Sequence, residues 1–190
     1  MKRFLLIIFA SLISIAVLAT KPHTVDLKVD VNNSTVYWKG SKVIIEDYHD
    51  GNINLISGYL AVDHGTLVGG EFVIDMNTIT CTDIESEKKR KYLEDHLKDE
   101  DFFDVGKYPQ SILRITSATR LEGSNYTIKA DLTIKGITQP IEFISTVNIR
   151  RNQFEATSEL KIDRTRWGVE YKSGSIFKKL GDKAILDEIE

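Results

Sequence analysis

The 190-residue chain has one cysteine, three prolines and no excess of positive charge. A single cysteine excludes an internal disulfide framework and a cysteine-rich zinc module. So few prolines, with no biased tract, leave no obvious linker, and the length suits one domain plus a processing segment. Twenty-five Lys and Arg stand against 28 Asp and Glu, a net charge of -3. That balance argues against a nucleic-acid partner, which needs a basic face to neutralise phosphates. The sequence also lacks HExxH, GxSxG, a P-loop and calcium-loop spacing. Apolar residues at 42% and charged residues at 28% are ordinary for a folded protein and wrong for a disordered one.

One apolar run is present. Lys2 and Arg3 precede an uncharged stretch from Phe4 to Thr20, with small side chains near its end. This is the pattern of a secretory signal peptide, and it predicts cleavage after Ala19, leaving residues 20–190 as the mature domain. The stretch falls short of the roughly 20 apolar residues of a membrane-spanning helix. The expected location is therefore periplasmic or secreted, and the mature chain carries 23 basic and 28 acidic residues.

The rest alternates. Val25, Leu27 and Val29 interleave with polar residues, as do Tyr126 to Ile134 and Phe154 to Ile162. A period of two with one apolar face is what an antiparallel sheet with one dry side requires. Less regular runs cover Val36–Trp38, Lys42–Tyr48, Asn54–Val62, Thr66–Asn77, Ile112–Leu121, Ile141–Ile149 and Ala184–Ile189. Gly40, Gly51, Gly65, Gly123, Gly136 and Asn152 read as turns between them. Thr82 to Glu85 reads as a capping box opening one helix over about 85–98, with Leu93 and Leu97 on its apolar face.

The expected fold is mostly β: an extended antiparallel barrel of about eight strands with one inserted helix. Closure hides strand edges, and a barrel of that size holds one small ligand or fills with side chains. Small inward positions at Ala130, Ser145, Ala156 and Ser158, between larger Phe72, Ile128, Phe143 and Phe154, favour a cavity.

Catalytic chemistry is sparse. His49 lies in the densest polar cluster, Glu46 to Gly51, but adjacent strand residues point to opposite faces, so Asp47 and Asp50 cannot simply converge on it. His23 lies near the terminus, His64 in a turn, and His96 follows Glu94 and Asp95 on the helix, which reads as solvated or capping. Cys81 reads as a small buried hydrophobe. No catalytic residue, metal site or cofactor is expected.

Three stretches resemble the YceI-like family of secreted bacterial proteins. Glu94-Asp95-His96-Leu97 through Asp101-Phe102-Phe103-Asp104 to Lys107-Tyr108-Pro109 is similar to the family's "D-x-H-L … dFFDv-kyP", with Glu94 in place of the usual aspartate. Ala130 to Pro140 resembles "G-x-LT-l-hG-vT-k-P", with Ala130 where glycine is common. Ile162 to Val169 resembles "i-x-R-x-dfGv", and Asp75 to Ile79 the family's strand into its "Sit" turn.

The resemblance implies a lipocalin-like barrel around a hydrophobic tunnel that binds an isoprenoid quinone or polyprenyl lipid. It implies no enzyme activity, and transient membrane contact or a homodimer is compatible with it. The family's histidine-rich turn corresponds to Tyr48-His49-Asp50-Gly51, which makes His49 the candidate for a ligand head group. The candidate lining residues are Phe72, Ile74, Met76, Phe143 and Phe154, with Trp38 and Phe102 at the rim or as a plug. The helix and Asp101-Phe102-Phe103 are expected to form a lid over one end. The alternative is a secreted interaction or stress-response protein with a filled barrel and no lipid.

Overall fold

The computed structural model describes residues 23–43, 47–176 and 184–190. The expected signal peptide at 1–19 lies outside the described residues. Among the described residues no helix is long and apolar enough to cross a membrane.

The strands are β1 (Thr24–Lys28), β2 (Val36–Lys42), β3 (Tyr48–Asp63), β4 (Thr66–Cys81), β5 (Gln110–Arg120), β6 (Asn125–Ile134), β7 (Ile137–Arg150), β8 (Gln153–Ser158), β9 (Ile162–Asp163) and β10 (Ile185–Ile189). One helix, α1 (Glu87–Lys98), interrupts them between β4 and β5. The strands form one curled antiparallel sheet in the order β8-β7-β6-β5-β4-β3-β2-β10-β9, with β1 paired to β3. The result is a half-barrel, mostly β with a single α-helix among the described residues, as expected.

The alternation fixes which face is dry. In β6, Tyr126, Ile128, Ala130, Leu132 and Ile134 are all buried, and the residues between them are exposed or half-buried. The strand count exceeds eight because the barrel's edges are built from short pieces. β1 occupies the Tyr59–Asp63 half of β3, and β2 occupies the Tyr48–Ile53 half. Farther round, β10 joins β2 to β9.

Of the expected Lys42–Tyr48 strand, Lys42 ends β2 and Tyr48 begins β3, residues 44–46 lie outside the described residues, and the Lys42 amide donates to the Asp47 carbonyl at 2.9 Å. Gly65, Gly123 and Gly136 sit in turns with φ of 79°, 64° and 73°, the left-handed region glycine tolerates best.

Gly40 and Gly51 are not turns. Both lie within strands. At Gly51 a Cβ would stand 1.7 Å from the Thr80 carbonyl oxygen and 2.8 Å from Trp38 Nε1. Glycine there lets β3 and β4 close on each other while Trp38 Nε1 donates to that same carbonyl at 3.0 Å. Gly51→Ala is expected to cost about 1–3 kcal/mol through overpacking, read as a lower midpoint in chemical denaturation with an unchanged slope.

The capping box does not form. Thr82 Oγ1 donates to Asp50 Oδ1 at 2.7 Å, which takes its hydroxyl away from the helix, and α1 starts later with Ser86 as N-cap. The segment after α1 is wound tightly onto the helix end, with Phe103 N–H donating to Leu97 O at 3.2 Å and Val105 N–H to Lys98 O at 2.9 Å. Phe102 is 8% exposed and belongs to the core beneath the helix. Phe102 and the helix above it therefore close this end of the barrel as a packed plug.

Candidate ligand cavity

A cavity of about 1410 Å³ lies inside the half-barrel, lined by residues of two packed clusters, one around Leu60 and Ile128 and one beneath α1. Such a volume exceeds the roughly 300–1,000 Å³ of ordinary small-molecule pockets. Leu60, Leu67, Ile115, Ile128 and Val147 form its apolar wall at the β3–β7 side. Along one seam the wall comes from Asp30 and Ser34 facing Phe154 to Leu160, where no ladder joins β8 to β1 or β2. The sheet is open there.

All eight residues singled out in the sequence stand on this wall: Trp38, His49, Phe72, Ile74, Met76, Phe102, Phe143 and Phe154. They do not form one patch. Phe72, Phe143 and Phe154 pack around the cluster of Leu60 and Ile128, whereas Trp38, Ile74, Met76 and Phe102 belong to the cluster beneath α1. Of the inferred small inward residues, Ser145, Ala156 and Ser158 line the cavity, and Ala130 is buried in the first cluster.

Two wall positions were missed. Ser111, on β5, is 3% exposed, and its hydroxyl has no hydrogen-bond partner. The polar-apolar alternation of β5 marks it as inward, yet a lone serine carries no distinctive signal. His96 is not solvated as its acidic neighbours imply. It lines the cavity, its ring meets Tyr171 edge-on at 4.5 Å between centroids, and its Nε2 is buried without a partner.

Near the mouth, His49 Nδ1 lies 2.9 Å from Asp83 Oδ2. Asp83 also receives the Asp50 amide at 3.1 Å and the Cys81 thiol at 3.0 Å. Burial alone would raise the Asp83 carboxyl's pKa, but hydrogen bonds from Cys81, His49 and the Asp50 amide outweigh it and hold the group below its ordinary value. The same burial, with the adjacent carboxylate, pushes the Cys81 thiol up to about 11. Cys81 is therefore a protonated, buried group, in keeping with its reading as a small hydrophobe. Asp50 is held by Tyr37, whose hydroxyl donates to Oδ2 at 2.7 Å, and by Thr82.

A curled antiparallel half-barrel, mostly β with one helix, is consistent with a lipocalin-like barrel. The YceI-like domain matches residues 27–190, and the chain belongs to that family. Among solved structures it is similar to BcnA of Burkholderia cenocepacia, with 20% identity over 85% of this chain and 94% of the other at a TM-score of 0.64. It is also similar to the Campylobacter jejuni YCEI protein, with 16% identity, coverage of 83% and 91%, and a TM-score of 0.52.

Curated relatives include a UPF0312 protein of Yersinia enterocolitica, 28% identical over 47% of each chain. A UPF0312 protein of Vibrio cholerae is 24% identical over 60% of this chain and 62% of its own. The matched part spans about half to three fifths of these curated relatives.

Proposed function

We propose that the protein binds an amphiphilic isoprenoid lipid, an isoprenoid quinone or a polyprenyl lipid, and carries or stores it outside the cytoplasm without catalysing a reaction on it. The observation that supports this reading is the long apolar cavity of about 1410 Å³ with one open seam. Each buried CH2 contributes about 0.8 kcal/mol, so a few isoprene units reach micromolar affinity even after the cost of ordering the chain. Few directional contacts are then needed. Selectivity rests on cavity length and on a polar group at the mouth, for which His49 is the candidate.

Native mass spectrometry of the secreted protein, with organic extraction of any adduct, tests the proposal. An adduct whose mass steps in isoprene units is expected. Protein that stays bare after incubation with quinones and polyprenyl phosphates would overturn it.

A further inference from the structure

His49 has a partner that the sequence does not announce. Gly51 pairs with Cys81 across β3 and β4, and continuing that register past the end of β4 sets His49 opposite Asp83. The ligand atoms of His49, Cys81 and Asp83 all lie within 4.8 Å of one another. Two of the three separations are short, at 2.9 Å from Nδ1 to Oδ2 and 3.0 Å from Sγ to Oδ1. Zinc bonds of about 2.0–2.3 Å arranged tetrahedrally set donor atoms about 3.3–3.8 Å apart. Movements of about an ångström would bring this trio to that spacing.

We propose that His49, Cys81 and Asp83 form a binding site for one divalent cation of the zinc class, with the fourth position left to water. Imidazole, thiolate and carboxylate together favour zinc over calcium or magnesium, which prefer all-oxygen shells. One thiolate and one carboxylate balance the charge of the cation. On binding, the Cys81 thiol proton passes to solvent and a sulfur–metal bond replaces the hydrogen bond to Asp83.

Two backbone contacts hold the donors in place. The Asp50 amide donates to Asp83 Oδ1, and the Cys81 amide donates to Glu94 Oε1 at 2.9 Å. Of the three donors, only His49 stands on the cavity wall. The site does not depend on the lipid proposal.

Cobalt(II) is the probe, added to full-length protein stripped with a chelator. One equivalent should bind, with a thiolate-to-cobalt charge-transfer band and the ligand-field bands of a tetrahedral site, and one equivalent of zinc should displace it. Cys81→Ser should lose the charge-transfer band. His49→Ala and Asp83→Asn should each weaken cobalt binding at least about 10-fold with unchanged circular dichroism.

His64→Ala is the control, because His64 and His23 form a separate exposed pair with ring centroids 6.1 Å apart. It should change nothing. Absence of stoichiometric uptake, a spectrum without the sulfur band, equal affinity in the His49 and Asp83 variants, or loss of binding in His64→Ala would each overturn the proposal.

Discussion

Ser111→Phe should emerge from purification with at least about 10-fold less lipid than the parent protein, yet melt no lower. Ser111 faces the cavity from β5, opposite Ile74 of β4, and its buried hydroxyl has no partner. Removing an unsatisfied buried hydroxyl relieves about 1–3 kcal/mol. A buried phenyl ring adds further stabilisation, set against about 1–3 kcal/mol of strain if the fit is imperfect. The terms favour a fold at least as stable as the original. The cavity, however, is narrowed beside β5, and a chain threaded past β5 loses its path.

Ser117→Phe, on the exposed face of the same strand, should keep its lipid. The readouts are adduct mass and thermal melting, compared across the three proteins. Full lipid content in a folded Ser111→Phe would show that the chain does not run past this wall, and with it the tunnel reading fails.

The dry face of the barrel was legible in the sequence because a period of two maps directly onto one side of a sheet. Phe72, Phe143 and Phe154 were found on that basis, and all stand on the cavity wall. What was not legible depends on contacts across the sheet. Thr82 and Glu85 have the spacing of a capping box, but Asp50 takes the threonine hydroxyl.

His96 follows two carboxylates and looks solvated, yet Tyr171, far along the chain, covers its ring. Asp83 lies 34 residues from His49 and becomes its neighbour only through the register of β3 and β4. The closing strands β9 and β10 are two and five residues long, too short to show a period.

Arg164→Ala should lower stability by about 3–5 kcal/mol, the range for breaking a buried charged network, and lower the melting temperature by roughly 10 °C for a domain of this size. Arg164 is 1% exposed. Its Nη1 donates to Val169 O at 2.7 Å and its Nε to Leu186 O at 3.0 Å, while Nη2 lies 3.6 Å from Asp187 Oδ1. The guanidinium also lies over the Phe102 ring, 5.7 Å from its centroid. Burial lowers its pKa, only partly offset by Asp187 and Asp163.

This one side chain therefore ties β10 and the turn at Val169 to the plug beneath α1. Without it, the Val169 and Leu186 carbonyls lose their donor, and β10 keeps its short ladders to β2 and β9 and the Lys161 ion pairs to Glu188 and Glu190. Arg164→Lys should recover only part of the loss, since one ammonium cannot reproduce the planar fork. Amide exchange should localise the damage, with the Ile185 and Glu190 amides, bonded to Lys172 O and Lys39 O, losing protection before those of β6. An Arg164→Ala protein that melts within about 2 °C of the parent, less than 1 kcal/mol at this size, would mean that β10 is held by its own ladder and that the plug does not depend on this clamp.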